Sequence, residues 1–158
     1  MKISEHYDAR EFVSEATWNK WGERSVWFIN PLQVLFGEWL TSQFGHKAIV
    51  NNWHFFKENP HPKGDEEWYM DGHIYSHSGY REPECTEGAK ESQHRAHNGN
   101  DWKIPGYDPE FIRDEIRRNF IALKARFGLT TIEKDCHTWV HSDNRWTNME
   151  ELFEVPFQ

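Results

Sequence analysis

The segment 109–127 constrains the fold most, because it carries its own start and stop signals for an α-helix. Asp108 can cap its amino end, Pro109 suits the first turn, and Gly128 can terminate it. Apolar side chains recur along the segment at helical spacing. The residues predicted to face the core are Phe111, Ile112, Ile116, Phe120, Leu123 and Phe127.

A second helix is predicted over residues 30–44, with the same kind of boundaries. Asn30 can act as its cap, Pro31 fits the first helical position, and Gly45 can end it. The spacing of apolar residues predicts one buried stripe along this helix. That stripe consists of Leu32, Leu35, Phe36, Trp39 and Leu40.

Short segments typical of strands are interspersed with these helices. Residues 47–56 are β-branched and aromatic and predict a buried strand, whereas residues 57–78 lack a clear period and predict a long loop or an insertion. Two short strands near 129–133 and 138–143 are joined by a turn, and a last strand is expected through 152–157. Because no strand–helix–strand rhythm is present, the sequence predicts an α+β fold in which helices flank a small antiparallel sheet.

Composition limits the size, the partners and the location of the protein. The 158 residues contain no linker or repeat and predict a single domain, residues 1–158. A net charge of −8 argues against nucleic acid as a partner. No apolar run approaches the roughly 18 residues of a membrane span, and residues 1–20 lack the apolar region of a signal peptide. Only Cys85 and Cys136 are present, so no disulfide framework is expected. We therefore expect no membrane partner and a cytoplasmic location in the producing cell.

The ten histidines exceed what packing or solubility requires, and histidine is the commonest metal ligand. The candidate ligands are His94, Asp101 and His141. Two imidazoles and a carboxylate meet the needs of a catalytic zinc site, which takes about three protein ligands. A loop that enters a strand can bring His94 and Asp101 together, and His141 comes from a different predicted strand. The same three residues also fit a capping aspartate and two hydrogen-bonded imidazoles.

The segments around these residues occur in a characteristic order. Residues 79–84 read GYREPE, residues 88–94 read GAKESQH, Asp101 follows, and residues 139–143 read WVHSD. Together they resemble the M15 family of zinc D,D-peptidases, which shares its fold with the Hedgehog signalling domain. That family includes D-alanyl-D-alanine carboxypeptidases and phage endolysins, which cut the peptide stems of the bacterial cell wall. The resemblance covers about residues 78–146.

The resemblance implies a Hedgehog/DD-peptidase-like fold and a zinc ion (Zn2+) held by His94, Asp101 and His141. It also implies that Arg81 holds a substrate carboxylate or the developing oxyanion, a task that suits a planar and permanently charged guanidinium. Asp143, two residues beyond His141, either orients a ligand histidine or is solvated. The implied function is cleavage of D-Ala-D-Ala or L-Ala-D-Glu bonds, with bacterial peptidoglycan as the partner and a monomeric enzyme. A lysin of this kind would act on the wall after release from the producing cell.

Three positions depart from the family pattern, and one of them is Gly99, which stands where the family has alanine. His97 stands where the family has glycine, which predicts a narrower site or a competing ligand. Thr138 stands where many members carry a catalytic glutamate, and a threonine hydroxyl cannot act as a general base. The substitutes nearby are Glu133, Asp135 and His137, of which Glu133 is the first choice and His137 the second. The alternative is a non-catalytic phage structural or binding protein that retains the zinc-site fold.

Overall fold

Helices flank a small sheet in the computed structural model, which describes residues 1–60 and 66–157. Within these ranges the α-helices are α1 (Glu15–Trp21), α2 (Pro31–Phe44), α3 (Trp53–Glu58) and α4 (Pro109–Phe127). Short 3-10 helices cover Ala9–Phe12, Gly22–Phe28 and Glu67–Gly72. The strands are β1 (Gly99–Trp102), β2 (Thr131–Lys134), β3 (Val140–Asp143) and β4 (Phe153–Pro156). Helices and strands are mixed along the chain, as the α+β prediction requires.

The sheet is mixed rather than antiparallel, so the predicted sheet type is wrong for its last strand. In the order β1-β3-β2-β4, the β1–β3 and β3–β2 pairs are antiparallel, and the β2–β4 pair is parallel. Parallel pairing needs a long connection between the two strands. Residues 135–152, which include β3, provide that connection and return the chain to the free edge of β2.

The two faces of the sheet carry different residue types. Trp102 and Val140 are completely buried and belong to the hydrophobic core. The indole Nε1 of Trp102 also donates to Ser142 Oγ at 2.8 Å, which satisfies its only hydrogen-bonding group. Because side chains alternate along a strand, the neighbouring residues Asp101 and His141 lie on the opposite face. One face therefore builds the core, and the other is available for a polar site.

The predicted boundaries of α2 and α4 are confirmed. Asn30 Oδ1 accepts a hydrogen bond at 3.0 Å from the backbone N–H two residues on, and Asp108 Oδ1 accepts the equivalent bond at 2.8 Å. Gly45 and Gly128 follow the last turns with φ angles of 70° and 66°. This is the left-handed conformation that glycine adopts without strain, so both helices end where the sequence indicates.

The predicted core faces of these helices are wrong at three positions. Leu32, Leu35 and Phe111 are all more than a third exposed. On α2 the buried face includes Gly37, and the helix lies against the indole of Trp102 at that point. The close approach at Gly37 turns the helix so that Leu32 and Leu35 face solvent.

The predicted strand over residues 47–56 is wrong for most of its length. Ile49 forms an isolated antiparallel bridge, but α3 begins at Trp53. The side-chain amides of Asn51 and Asn52 donate to backbone carbonyls of other segments, at 2.8 to 3.1 Å. Asparagines that bind backbone groups in this way compete with strand pairing. The extended segment therefore stops before the aromatic residues.

A buried arginine of α4 fixes the turn between β2 and β3. Arg113 is 1 % exposed. Its Nη2 donates to the carbonyl oxygen of Cys136 at 2.8 Å, and its Nη1 donates to that of Trp139 at 3.3 Å. These bonds attach the turn that leads into β3 directly to the helix.

In the described parts of the segment 57–78, which are residues 57–60 and 66–78, the backbone is largely irregular, as predicted, apart from the end of α3 and the 3-10 helix Glu67–Gly72. His61 lies outside the described residues. Both cysteines are free, with Cys136 buried and Cys85 partly exposed. In the two described ranges, no helix is both long and apolar enough to cross a bilayer.

We expect Gly37→Ala to destabilise the protein by about 1–2 kcal/mol, because overpacking costs up to ~3 kcal/mol and the gain in helix propensity returns about 1 kcal/mol. The added Cβ would lie 2.8 Å from two ring carbons of Trp102. Urea denaturation measures the free energy of unfolding. Ser42→Ala, at an exposed position of the same helix, is the control and should not lower stability. A Gly37→Ala protein as stable as the wild type would contradict this packing.

Candidate metal centre

Strand pairing brings three functional candidates into one row across the sheet. Asp101 in β1 is the register partner of His141 in β3. The β2–β3 register pairs Ile132 with Ser142, and its continuation puts Glu133 opposite His141. Residues that are directly opposite in register share a face of the sheet. Asp101, His141 and Glu133 therefore lie side by side, and all three line the same cleft.

His94 joins this row from the loop before β1. Its Nδ1 lies 2.9 Å from the carbonyl oxygen of Gly79, so this nitrogen carries a proton and donates it. The other ring nitrogen, Nε2, lies 3.2 Å from Asp101 Oδ1. The contact with Gly79 thus leaves Nε2 directed at the carboxylate.

The three predicted metal ligands form one buried cluster that can bind a metal ion. Ligand atoms of His94, Asp101 and His141 lie within 4.8 Å of one another, and each residue is at most 5 % exposed. Asp101 Oδ1 is 2.8 Å from His141 Nδ1. The second nitrogen of each imidazole is held in place, by the Gly79 carbonyl for His94 and by Asp143 Oδ2 at 3.1 Å for His141. Metal-binding histidines typically have such an outer partner, so the residues present fit a bound ion.

Asp143 contacts a candidate ligand histidine and is not solvated. It is completely buried, and its carboxylate contacts the ring of His141. The structure thereby decides between the two roles that the sequence leaves open.

The Gly79-Tyr80-Arg81 segment is anchored by its first two residues. Gly79 approaches the backbone of Phe12 so closely that a Cβ would collide with the Phe12 carbonyl group. The backbone N–H of Tyr80 donates to the same carbonyl oxygen at 2.8 Å, and its ring stacks on Phe28 with centroids 5.0 Å apart. These contacts fix the backbone that carries Arg81.

Arg81 lies beside the cluster and is positioned by backbone groups. Its Nη2 is 3.4 Å from Asp101 Oδ2, and its Nε donates to the carbonyl oxygen of His77 at 2.5 Å. Gly88 packs against the guanidinium, and a Cβ there would collide with Nη1. The φ of Gly88, 72°, also favours glycine. The guanidinium lines the cleft, as its predicted role requires.

A cleft of about 500 Å³ opens over the cluster. It is lined by the three cluster residues and by Arg81 and Glu133. Its remaining walls come from the loop that precedes His94, from Trp139, from Arg145 and from residues 155–157. The volume is typical of sites that bind small ligands.

Burial and close charges shift the pKa values of the cluster in opposite directions. Burial alone would lower the pKa of His141, but hydrogen bonds with Asp101 and Asp143 raise it to about 10. Burial alone would raise the pKa of Asp101, but the imidazoles of His94 and His141 lower it well below its usual range. Burial raises the pKa of Glu133, and the nearby His141 opposes the shift. In the metal-free cluster, His141 therefore holds a proton and Asp101 is ionised.

Of the three candidate bases, Glu133 alone lines the cleft. Asp135 and His137 are exposed in the turn between β2 and β3 and do not line it, and Thr138 is exposed as well. The turn carries these side chains away from the sheet face, whereas Glu133 stays on the strand in register with His141. Of the two preferred candidates for the base, Glu133 therefore lies in the cleft and His137 lies outside it.

His97 neither narrows the cleft nor competes for a metal ion, so this expectation is wrong. Its ring stacks on Tyr80 and Phe28, with centroids 4.4 and 5.7 Å away, and its Nδ1 lies 3.1 Å from the Phe28 carbonyl oxygen. Its φ of 63° is left-handed, a backbone conformation that favours glycine. The stacking interactions offset the conformational cost of a histidine there.

Sequence reasoning missed three residues that support the cluster. Lys103 is buried and donates from Nζ to the carbonyl oxygen of Asp101 at 3.2 Å. Gly99 leaves room for His141, because a Cβ there would lie 2.8 Å from His141 Cε1. The third is Arg145, which binds Asp143. A glycine inside a strand signals close approach of another group, but nothing in the sequence marks a lysine or an arginine for these contacts.

Comparisons of the chain with models of protein families, with curated proteins and with solved structures found no match. Its functional interpretation therefore depends on the geometry of the cluster and on the motifs around it.

We expect binding of a divalent metal ion to release about one proton near pH 7.5, because His141 must lose its proton to become a ligand. The pKa of His141 in the metal-free protein is about 10, so acidification favours the proton over the metal and weakens binding. Isothermal titration calorimetry in buffers of different ionisation enthalpy measures the protons released. His137→Ala, at an exposed position, is the control and should bind metal as the wild type does. Metal binding without proton release would contradict this protonation state.

Proposed function

We propose that the protein is a zinc-dependent peptidase of the Hedgehog/DD-peptidase fold that cleaves the peptide stems of bacterial peptidoglycan. One observation carries the proposal. His94, Asp101 and His141 meet in a buried cluster that opens into a cleft lined by Arg81 and Glu133. The cluster residues and Arg81 occur in the sequence segments that resemble zinc D,D-peptidases.

Zinc suits this donor set better than calcium or magnesium does. Two imidazole nitrogens and one carboxylate oxygen are typical ligands of catalytic zinc, whereas calcium and magnesium prefer oxygen ligands alone. The contacts of His94 with Gly79 and of His141 with Asp143 orient both imidazoles for coordination. When bound, zinc supplies Lewis-acid chemistry, since it polarises a carbonyl group and makes water a stronger nucleophile.

Glu133 is the residue that moves the proton in this proposal. Its carboxylate lines the cleft in register with His141, and burial raises its pKa. A carboxylate with a raised pKa accepts a proton more readily than an exposed one. A carboxylate oxygen of Glu133 takes the proton of the attacking water and then delivers it to the leaving amine nitrogen.

Arg81 binds negative charge in this proposal. Its contact with Asp101 is a single long one, at 3.4 Å, so its other N–H groups are not committed to that carboxylate. The permanently charged guanidinium can bind a peptide carboxylate or a carbonyl oxygen that gains negative charge. The proposal includes both D-Ala-D-Ala and L-Ala-D-Glu bonds, and mass spectrometry of digested wall peptides identifies the bond that is cut.

A non-catalytic structural or binding protein is the second candidate, and Thr138 is the observation that favours it. Thr138 occupies the position of a catalytic glutamate in many related peptidases, and it is exposed outside the cleft. If zinc-loaded protein binds wall peptide without cleaving it, the result refutes the first candidate function and supports the second.

We expect one zinc ion per wild-type chain and none in His94→Ala, because loss of a ligand removes one of three protein donors. Free zinc at 100 times its Kd stabilises the native state by about 2.7 kcal/mol, so a chelator should lower the melting temperature of the wild type but not that of His94→Ala. Elemental analysis and thermal unfolding measure both effects. His73→Ala, at an exposed position, should behave as the wild type. Full zinc content in His94→Ala would refute the ligand assignment.

We expect Glu133→Gln to lower kcat by about 100- to 10,000-fold while zinc stays bound, because glutamine keeps the shape but cannot accept the proton. Chromatographic assay of a stem peptide measures kcat and KM, and elemental analysis measures zinc. KM should change less than kcat, since the carboxylate acts on the reacting water.

Two further variants make this experiment specific. Glu151→Gln changes an exposed glutamate in the same way and should keep full activity. His137→Ala tests the second choice of base. Full activity in Glu133→Gln together with a large loss in His137→Ala would assign the proton transfer to the imidazole.

A further inference from the structure

Asp143 and Arg145 form a multiply bonded ion pair next to the metal cluster. Arg145 Nε lies 2.9 Å from Oδ1 and 3.0 Å from Oδ2 of Asp143, and Nη2 lies 2.5 Å from Oδ2. The backbone N–H of Arg145 also donates to Oδ1 at 3.0 Å. Asp143 is completely buried, and a buried carboxylate is costly without a partner. The guanidinium therefore determines where this carboxylate can lie.

The ion pair contacts His141, which is a predicted metal ligand. Asp143 Oδ2, which contacts Arg145, also lies 3.1 Å from His141 Nε2. With Nε2 occupied in this way, Nδ1 is the nitrogen of His141 that faces Asp101 at 2.8 Å. Rotation of the ring would break both contacts. The orientation of His141 thus depends on Asp143, and that of Asp143 depends on Arg145.

The two arginines of the cleft differ in how firmly they are bound. Arg81 contacts Asp101 through one nitrogen at 3.4 Å, whereas Arg145 contacts both oxygens of Asp143. A planar guanidinium can bind two carboxylate oxygens at once, which an ammonium group cannot reproduce. Arg81 is therefore available to a ligand, and Arg145 is committed to its aspartate.

We propose that Arg145 is a positioning residue of the metal centre. By fixing both oxygens of Asp143, it holds His141 with Nδ1 presented to the metal ion. This inference rests on the proposed zinc site but assigns Arg145 no contact with the substrate.

The test compares zinc affinity and cobalt spectra of Arg145→Ala, Arg145→Lys and the wild type. Competition with a chromophoric chelator should show zinc binding about 10- to 100-fold weaker in Arg145→Ala, as is typical for loss of a residue that supports a metal ligand. Arg145→Lys should bind zinc more tightly than Arg145→Ala but more weakly than the wild type, because lysine keeps the positive charge without the planar guanidinium that binds both carboxylate oxygens. The visible absorption of the cobalt-substituted protein should change in both variants. Arg118→Ala is the matched control, since its side chain is 64 % exposed and pairs only with Glu115 among the described residues.

Three outcomes would overturn the inference. They are zinc affinity of Arg145→Ala within twofold of the wild type, an unchanged cobalt spectrum, and a loss confined to KM for the peptide. If Arg145→Ala does not fold, the test uses Arg145→Lys instead. The inference then requires that Arg145→Lys binds zinc more weakly than the wild type. A wild type that binds no zinc would refute the proposed function itself, whereas tight zinc binding that is insensitive to Arg145 would refute this inference alone.

Discussion

The antiparallel pairing of β1 with β3 is the interaction on which both the core and the metal cluster depend. On one face it joins Trp102 to Val140 in the hydrophobic core, and on the other it joins Asp101 to His141. A shift of one residue in this register would exchange the two faces, burying a carboxylate in the core and exposing the indole. The free energy of burying Trp102 therefore also enforces the spacing of Asp101 and His141, two candidate metal ligands that lie far apart in the chain.

Charge inside this small site is balanced by pairs of unequal strength. Buried carboxylates lose their hydration, so Asp101 and Asp143 need nearby positive groups or hydrogen-bond donors. The two imidazoles of the cluster and Arg145 provide most of them. Arg81 contributes least to this balance, which leaves it the freest charged donor near the cluster. A protein with a net charge of −8 thereby keeps a guanidinium available at its cleft.

The sequence predicts those features that depend on neighbouring residues. The caps at Asn30 and Asp108 and the glycine ends of α2 and α4 are local, and all of them are confirmed. The exposure of Leu35 and the parallel pairing of β4 depend on long-range contacts, such as that of Gly37 with Trp102, and pattern reasoning missed them. The site divides in the same way. The three candidate ligands belong to recognisable segments, whereas the contacts of Lys103 and Arg145 form only once the sheet has folded.

The bonds from Arg113 to the β2–β3 turn make one wall of the cleft stiffer than the opposite wall. Trp139 belongs to the stiff wall, because the helix, the turn and the sheet move together through that guanidinium. Residues 86–91, which precede His94, are all exposed and belong to the more compliant wall. Segments with few buried contacts open at the lowest free-energy cost. We therefore expect this loop to be the part of the cleft wall that moves most easily when ligands of different size bind. The Gly79 carbonyl lies outside this loop, so its hydrogen bond with His94 holds that imidazole from a part of the chain other than residues 86–91.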